Sequence, residues 1–420
     1  MTPPIGSHLA GYAARLERST GVYHPLSCTV TAITDQRCAT TLILVSIEWL
    51  GFYDRTERVR RLICEATGVP TGNILLCGTH THCGPPMRKG TDEFRHGGVD
   101  DPFLERTFAR IADAARDAVA SPIPVRLRST TGWCGLAHSR RRPDGKGGVT
   151  WQPTLDAPHD HSVPILLFED ESGQLRHLLF GYACHPTAGG PILKIGGDYA
   201  GFALEEVQRS LGCTASFLLG CAGDQKPFLP DTDMAGFPPY PIEAIAAMGR
   251  RLAASVDNAV RHHPGIPVDG PLQIRSGRLE LVNEVQPRDV YEAAYRSTEE
   301  HLRRWGDHHL AILDAGRSPD TGLEFEIQTV LFGADLALVA LSGEMSAEYG
   351  LELNRRFGAR FGRVWPVGYA NAMVGYVPSA RQYSECGYEV IDNMQYLLRP
   401  APLARDSEGR IVEAIDKLLR

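Results

Sequence analysis

Long apolar runs, a basic leader and paired cysteines are all missing from this 420-residue chain. The N-terminal residues 1–6 have neither the positive charges nor the apolar core of a secretion signal. The apolar stretch 42–47 is far too short to span a bilayer, so we expect no membrane insertion. The ten cysteines show no C-x-x-C spacing, which argues against a thiolate zinc knuckle and favours reduced thiols in the cytoplasm.

An excess of positive charge is missing as well. The formal net charge of −7 gives no general attraction for nucleic acid, so we expect no nucleic-acid partner. A hydrophobic content of 43% with 22% charged residues is ordinary for a globular enzyme. The chain also lacks internal repeats, low-complexity linkers and any strong break in composition. We therefore expect one domain over residues 1–420.

Apolar, β-branched runs alternate with helical patterns, which predicts an α/β fold with mixed β-sheets covered by helices. The predicted strands lie at 27–34, 41–49, 73–77, 124–130, 163–169, 175–184, 215–219, 273–281, 325–332 and 336–342. The predicted helices lie at 54–67, 102–120, 199–211, 242–262, 287–304, 346–357 and 409–419. Two segments rich in Gly or Pro, 140–152 and 228–241, are predicted to be long loops.

The pair His80 and His82 stands at the end of the strand predicted at 73–77. Side chains two residues apart on a strand share a face, so we expect both imidazoles to leave the sheet edge in the same direction. Taken alone, such a pair is equally well explained as two hydrogen-bonded loop histidines.

Three further polar side chains follow other predicted strands. His185 ends the strand at 175–184, Glu344 follows the strand at 336–342, and Asp224 follows a glycine-rich turn. Two or three imidazoles and a carboxylate form the N and O ligand set that suits Zn²⁺. The residues therefore point to a metallohydrolase with one zinc per chain, although each of them alone has a structural explanation.

Several motifs in a fixed order resemble the neutral ceramidase family and its bacterial relatives. The segment 78–85, GTHTHCGP, resembles the family's G-T-H-T-H-x-G-P motif. Similar motifs follow at 184–187 (CHPT), 197–201 (GDYAG), 220–224 (GCAGD), 342–344 (SGE) and, in a tyrosine-rich stretch, 368–389. The resemblance implies a neutral-ceramidase-like catalytic domain that hydrolyses amides.

The resemblance also implies roles for individual residues. The zinc ligands would be His80, His185, Glu344 and Tyr376. Beside the metal, His82 would stabilise the oxyanion or handle the leaving-group proton, together with Tyr388, which lies twelve residues after Tyr376. Arg140, in a segment similar to the family's N-R, would contact the substrate.

This chain departs from the family at Lys226, which stands where ceramidases have a serine. Without that serine, metal-activated water is the expected nucleophile, and Lys226 becomes a candidate for binding a substrate carboxylate or phosphate. Gly11 and Asp224 complete the expected substrate-binding group. Asp224 is also, with Asp198, a candidate for orienting the histidines or the loops around them.

Three features set the expected substrate apart from ceramide: a length without room for the C-terminal immunoglobulin-like domain of full ceramidases, the absence of a secretion signal, and the absence of an obvious apolar hairpin for extracting a lipid from a membrane. We therefore predict a zinc-dependent amidohydrolase that cleaves a linear N-acyl bond in a small molecule other than ceramide. A zinc esterase, lactonase or acyl transferase on the same scaffold is the alternative, and a non-catalytic binding protein is the third reading. The sequence leaves a homo-oligomer open.

Overall fold

The computed structural model of the protein describes residues 1–13, 15–88, 99–229 and 235–420. Its strands are β1 Gly21–Val22, β2 Cys28–Asp35, β3 Thr40–Ile47, β4 Ile74–Gly78, β5 Val125–Trp133, β6 Ala137–Pro143, β7 Val149–Thr154, β8 Ser162–Asp170, β9 Leu175–Tyr182, β10 Lys194–Ile195, β11 Thr214–Leu219, β12 Gln225–Pro227, β13 Ile266–Pro267, β14 Leu272–Val282, β15 Gly322–Phe332, β16 Leu336–Leu341, β17 Glu344–Met345, β18 Val364–Val367 and β19 Tyr376–Val377. Its α-helices are α1 Thr56–Thr67, α2 Asp101–Ala120, α3 Asp198–Leu211, α4 Ile242–His262, α5 Arg288–Tyr295, α6 Glu300–Asp314, α7 Ala347–Phe357, α8 Gln382–Glu385, α9 Asp392–Tyr396 and α10 Ser407–Leu419.

The larger sheets mix parallel and antiparallel pairs, as the sequence predicts. A five-stranded sheet has the order β11-β9-β8-β5-β13, and a four-stranded sheet has the order β14-β15-β16-β18. Strands β2-β3-β4 and β12-β6-β7 form two three-stranded sheets. Within them β9/β11, β3/β4 and β16/β18 are parallel, so in each of these pairs the carboxyl ends lie at one edge.

The sheets pack face to face because their strands are apolar on both sides. Leu44, Leu179, Leu218, Leu338 and Trp365, which come from five different strands, belong to one buried cluster between the sheets. Strands that are covered on both faces read as continuous apolar runs. This explains why the central strands are readable from the sequence.

Helices cover the outer faces through single apolar stripes. In α4 the buried side chains include Ile245, Met248, Leu252 and Val256, at the three- and four-residue spacing of one helix face. The opposite face carries charged residues. Burial of such a stripe contributes roughly 25 cal/mol for each Å² of apolar surface removed from water, which is why amphipathic helices dock on sheets.

Two local predictions are wrong. The segment 140–152 is not a loop: β6 and β7 form an antiparallel hairpin across it. The helix predicted at 287–304 is two helices, α5 and α6, separated at Ser297 and Thr298. The hydroxyl of Ser297 accepts a hydrogen bond from the backbone N–H of Glu299, and such local side-chain bonds compete with helix.

The other predicted elements are present with shifts of a few residues at their ends. The predicted loop 228–241 contains residues 230–234, which lie outside the described part of the chain. All ten cysteines are unpaired, in keeping with the expectation of free thiols. In the described ranges, every helix is too short or too polar to cross a bilayer.

Candidate metal and catalytic site

The segment that carries His80 and His82 begins where β4 ends. His80 has a φ of 64°, a left-handed conformation that turns the chain away from the strand direction. The backbone N–H groups of Thr79 and His80 donate to the carbonyls of Ile47 and Trp49, both at 2.8 Å. The predicted shared strand face is therefore wrong in detail, because the residues lie in a turn. The two rings still meet, with centroids 5.0 Å apart.

Asn371 joins this segment to the four-stranded sheet. Its backbone N–H donates to the carbonyl of Leu76 at 2.7 Å, and its side-chain oxygen accepts from the Leu76 N–H at 3.0 Å. The side-chain amide then donates to Glu326 and Gln328. Asn371 thus fixes β4, and with it His80, relative to the strands that deliver Glu344.

Glu344 and Tyr376 lie directly opposite each other in the short parallel pair β17 and β19. Gly223 packs against this pair: its N–H donates to the carbonyl of Met345 at 2.7 Å. A Cβ at position 223 would lie 2.4 Å from the carbonyl oxygen of Glu344, so only glycine permits this approach.

The donor atoms of the four predicted zinc ligands converge. The Nε2 atoms of His80 and His185 each lie 3.3 Å from Oε2 of Glu344. The phenol oxygen of Tyr376 lies 3.4 Å from Nε2 of His185. Ligand atoms held at about 2.0–2.1 Å by a tetrahedral Zn²⁺ stand roughly 3.3 Å apart, so this spacing suits such an ion.

Hydrogen bonds to backbone carbonyls orient both imidazoles toward the convergence point. Nδ1 of His80 lies 2.7 Å from the carbonyl oxygen of Leu50, and Nδ1 of His185 lies 2.6 Å from that of Ala222. A carbonyl accepts only from a protonated nitrogen, so the proton of each neutral ring belongs on Nδ1. This leaves the lone pair of each Nε2 for a metal.

The electrostatics of the site also suit a cation. Burial opposes ionisation of Glu344, but His80 and His185 beside it lower the pKa of its carboxyl well below the ordinary value. Burial lowers the pKa of His185 to about 4, so its ring is neutral at pH 7. A neutral imidazole and an ionised carboxylate are the protonation states that metal binding requires.

His82 lies next to this group, and both of its ring nitrogens lack a hydrogen-bond partner among the described residues. Both nitrogens are also buried. Burial and the neighbouring His80 and His185 lower its pKa well below the usual value, so the ring is neutral at pH 7. One nitrogen from each of the three histidines lies within 4.8 Å of the others, so His82 is also within reach of a metal.

Gly11 and Arg15 hold His82 in place. A Cβ at Gly11, which has a φ of 95°, would lie 2.3 Å from Cγ of the His82 ring. The guanidinium of Arg15 donates to the carbonyl oxygens of Ala10 and His82, and to that of Ile192 at 3.1 Å. The N-terminal segment therefore forms one side of the site, and the predicted involvement of Gly11 takes the form of contact with His82.

Arg140 lies at a β-bulge, where the pairing of β6 with β7 shifts between Ser139 and Arg141. A bulge re-aims side chains that would otherwise alternate across a strand. Nε of Arg140 and Nη1 of Arg141 both reach the buried carboxylate of Glu389, at 2.6 and 2.5 Å. The Arg140 guanidinium, held in this way, lies over three aromatic rings, with distances of 4.3 Å to Trp151, 5.3 Å to Tyr376 and 5.4 Å to Tyr388.

These side chains line a cavity of about 370 Å³. The predicted site residues that line it are Gly11, His80, His82, Arg140, His185, Lys226, Glu344, Tyr376 and Tyr388. Aromatic and aliphatic side chains, Leu50, Tyr53, Trp151, Tyr396 and Leu397, form much of the remaining wall. An apolar cavity with a few convergent polar groups is the usual form of a small-molecule site.

Asp224 is not part of the cavity wall, contrary to its predicted contact with substrate. One carboxylate oxygen accepts from the N–H of Ala347 at 2.9 Å, and the other accepts from Nε2 of Gln382 at 2.9 Å. It thereby fixes the start of α7, three residues after Glu344. Asp198 similarly accepts hydrogen bonds from the N–H groups of Ala188 and Gly189, so it shapes the loop that follows His185.

Tyr369 and Arg15 are site residues that the sequence did not assign. The phenol oxygen of Tyr369 lies 3.4 Å from Nδ1 of His185, and its ring centroid lies 4.4 Å from that of His80. In the sequence, a role for Tyr369 in the site is indicated only by its position in the motif at 368–376. Arg15 had no signal, because it acts on backbone carbonyls, two of which, those of His82 and Ile192, are far away in the sequence.

The fold around this site is that of the neutral ceramidases, over nearly the whole chain. A neutral ceramidase from Pseudomonas aeruginosa matches 99% of this chain and 71% of its own, with a TM-score of 0.74 and 18% identity. A ceramidase complexed with C2 matches 99% of this chain and 74% of its own, with a TM-score of 0.72 and 17% identity. No protein-family model matches, and no curated protein matches significantly.

Proposed function

We propose that this chain is a zinc-dependent hydrolase of a linear N-acyl amide bond. The observation that carries the proposal is the convergence of His80, His185, Glu344 and Tyr376, with contacts of 3.3 to 3.4 Å, inside a neutral-ceramidase-like fold. One domain over residues 1–420 and one zinc per chain are part of the same proposal. Lys226 in the cavity wall argues that the substrate is not ceramide itself.

The reaction is an ordinary amide hydrolysis. Water adds to the carbonyl carbon, the carbon–nitrogen bond breaks, and the amine leaves with a proton that came from the water. A bound Zn²⁺ supplies Lewis-acid activation of the carbonyl and of water at neutral pH. The residues of the chain orient the amide, stabilise the charge on its oxygen and move the proton.

His82 is the group we assign to proton transfer. Because its ring is neutral and neither nitrogen is engaged among the described residues, it can accept a proton at one nitrogen and donate at the other. Its low pKa makes the protonated form a strong acid, which favours rapid delivery of the proton to the leaving amine. The contacts with Gly11 and Arg15 keep the ring beside the metal ligands.

Tyr388 is the group we assign to the oxyanion. Burial raises the pKa of its phenol, so the O–H stays protonated and can donate. Its ring packs edge-on against Tyr376 at 5.3 Å and against Trp151 at 5.3 Å, and this contact with a proposed zinc ligand supports the assignment. The guanidinium of Arg140 lies against the rings of both tyrosines.

Metal content and substrate selectivity test the proposal together. We expect about one zinc per purified chain and its loss in the His80→Ala/His185→Ala variant, with His263→Ala, an exposed histidine beyond α4, as control. Release of amine from a panel of N-acyl compounds should accompany the metal. A metal-free protein would favour the binding-protein reading, whereas turnover of esters or lactones without any amide would favour the alternative hydrolase.

A further inference from the structure

The ammonium group of Lys226 lines the cavity without a carboxylate partner in the described part of the chain. Within the described ranges, Nζ of Lys226 makes a single hydrogen bond, to Oγ1 of Thr187 at 3.1 Å. Among the described residues, no carboxylate lies within ion-pair distance of it. Arg140, which also lines the cavity, differs in this respect because the carboxylate of Glu389 neutralises its charge.

The backbone around Lys226 holds the side chain at the cavity wall. Strand β12 pairs with β6, with Lys226 opposite His138, and the carbonyl of the preceding Gln225 accepts from the N–H of His185 at 3.1 Å. The ammonium also lies 5.6 Å from the ring centre of Phe237. The residue before Lys226 is therefore bonded to His185, a proposed zinc ligand, and Lys226 itself lies in a paired strand. It is not a mobile surface lysine.

Lys226 is electrostatically uncompensated in this position. Burial, followed by repulsion from Arg140, lowers the pKa of its ammonium to about 8, and the attraction of Asp198 does not offset them. The group is still mostly protonated at pH 7. A cation that has lost water and gained no counter-charge binds an anion favourably, because the anion restores the missing interaction.

In the described part of the cavity wall, Glu344 is the only acidic side chain that could compete with a bound anion for Lys226. The charged lining residues of the cavity, within the described ranges, are Arg88, Arg140, Lys226 and Glu344. Glu344 is a proposed zinc ligand, so its charge is directed at the metal. Because Glu389 neutralises Arg140, the positive charge offered to an anion beside this aromatic wall is that of Lys226.

We propose that Lys226 recognises an anionic group on the substrate, so that the amides hydrolysed here carry a carboxylate or a similar oxyanion. This inference rests on the proposed amide hydrolysis and names its substrate class. The anion belongs either to the amine portion, as in an N-acyl amino acid, or to the acyl portion, as in a dicarboxylic acid monoamide. Both present the same oxyanion to the ammonium, and matched substrates separate them.

The test measures the hydrolysis of three amides by the zinc-loaded protein. N-octanoylglycine carries the anion on the amine, the propylamide of an eight-carbon dicarboxylic acid carries it on the acyl group, and N-octanoylpropylamine is neutral. We expect kcat/KM for one anionic amide to exceed that for the neutral one by about 10- to 100-fold, the range for a hydrogen bond to a charged group. Equal values for all three amides would overturn the inference and leave the proposed hydrolase intact.

Variants then connect the preference to Lys226. Lys226→Met should reduce the anionic-to-neutral ratio of kcat/KM to about one, while Lys226→Arg should keep a preference above one. Lys417→Met, which removes an exposed lysine on α10, should leave the ratio unchanged. An unchanged ratio in Lys226→Met would overturn the assignment.

A binding measurement distinguishes this inference from the proposed function. The ketone analogue of N-octanoylglycine, with CH₂ in place of the amide NH, cannot be hydrolysed. Calorimetry should show about 10-fold or greater loss of its affinity in Lys226→Met. Such a loss without hydrolysis of any amide would support anion recognition and contradict the hydrolase, whereas equal affinity for both proteins would contradict anion recognition, whatever the activity.

Discussion

Gly11 lies directly against the imidazole of His82, so close that a Cβ at position 11 would be 2.3 Å from Cγ of the ring. This contact means that the N-terminal segment sets the position of the residue we assign to proton transfer. The backbone of Gly11 is also left-handed, with a φ of 95°. Both properties select glycine, and they can be separated by experiment.

Gly11→Ala should reduce kcat/KM by about 100-fold, because displacement of a catalytic group by about 1 Å has effects of that size. Gly6→Ala is a matched control: Gly6 has a φ of 90° but no atom within 4 Å of a Cβ. Both variants share the backbone strain of about 1–2 kcal/mol, which a melting curve would report. Equal activity of the two variants would show that the contact with His82 has no catalytic importance.

His82 and His80 should respond differently to the same substitution. His82→Gln is expected to keep its zinc and to lose about 100-fold or more in kcat, the usual effect of removing a general acid or base. His80→Gln should lose the metal itself. Metal analysis and kcat measured on the same preparations check this separation. Loss of zinc from His82→Gln would instead make His82 a ligand, as its place in the three-histidine group allows.

Asp224 should act on the site without touching the substrate. Asp224→Ala leaves the buried N–H of Ala347 without its acceptor, which costs roughly 1–3 kcal/mol of stability. Because Glu344 lies three residues before Ala347, zinc affinity should also fall by about 10- to 100-fold. Denaturant unfolding and zinc titration measure the two effects. Asp113→Ala on the exposed face of α2 is the control. A higher Michaelis constant with unchanged zinc affinity would show that Asp224 contacts the substrate.

Acid should destabilise the protein through a histidine that is not part of the cavity wall. His309 is buried between Tyr291 and Trp305, and burial lowers its pKa to about 4. The unfolded chain binds a proton at this position below about pH 6.5, whereas the folded chain does so only below about pH 4. Stability therefore rises with pH between these values and is unaffected by this group above them.

His309→Phe should remove this contribution while it keeps the aromatic packing. The slope of the unfolding free energy against pH, between about pH 4 and 6.5, should fall by up to about 1.4 kcal/mol per pH unit for the one proton removed. Urea unfolding at several pH values measures the slope, with the exposed His263→Gln as control. An identical slope in His309→Phe and wild type would show that the folded protein binds this proton as readily as the unfolded chain.

The strands that cross the interior were predictable because both of their faces are covered. The run 336–341 is apolar without interruption, and it forms the inner strand β16. The hairpin of β6 and β7 escaped prediction since its first strand reads Ala-His-Ser-Arg-Arg-Arg-Pro, which has no apolar face. Arg140 and Arg141 are buried against Glu389, almost 250 residues further along, which neutralises them.

The convergence of the ligand candidates was predictable from strand ends and motif order. His80, His185 and Glu344 each follow a buried strand, and neighbouring strands place such residues together. What the sequence could not show is how these side chains are oriented. Backbone carbonyls, those of Leu50 and Ala222, orient the histidines, and a carbonyl carries no residue-specific signal.

The small sheet of β12, β6 and β7 has a consequence for substrate length. It joins Lys226 and Arg140 through backbone hydrogen bonds, including one of 2.9 Å from the Arg140 N–H to the Asp224 carbonyl. A strand, unlike a flexible loop, keeps its side chains at a constant separation from the rest of the site. The cavity should therefore select substrates by the distance between the amide and the anionic group. In a series of amides whose anionic group is moved outward by one methylene at a time, the amide with one particular spacer length should be hydrolysed best, and those with shorter or longer spacers should be poorer substrates.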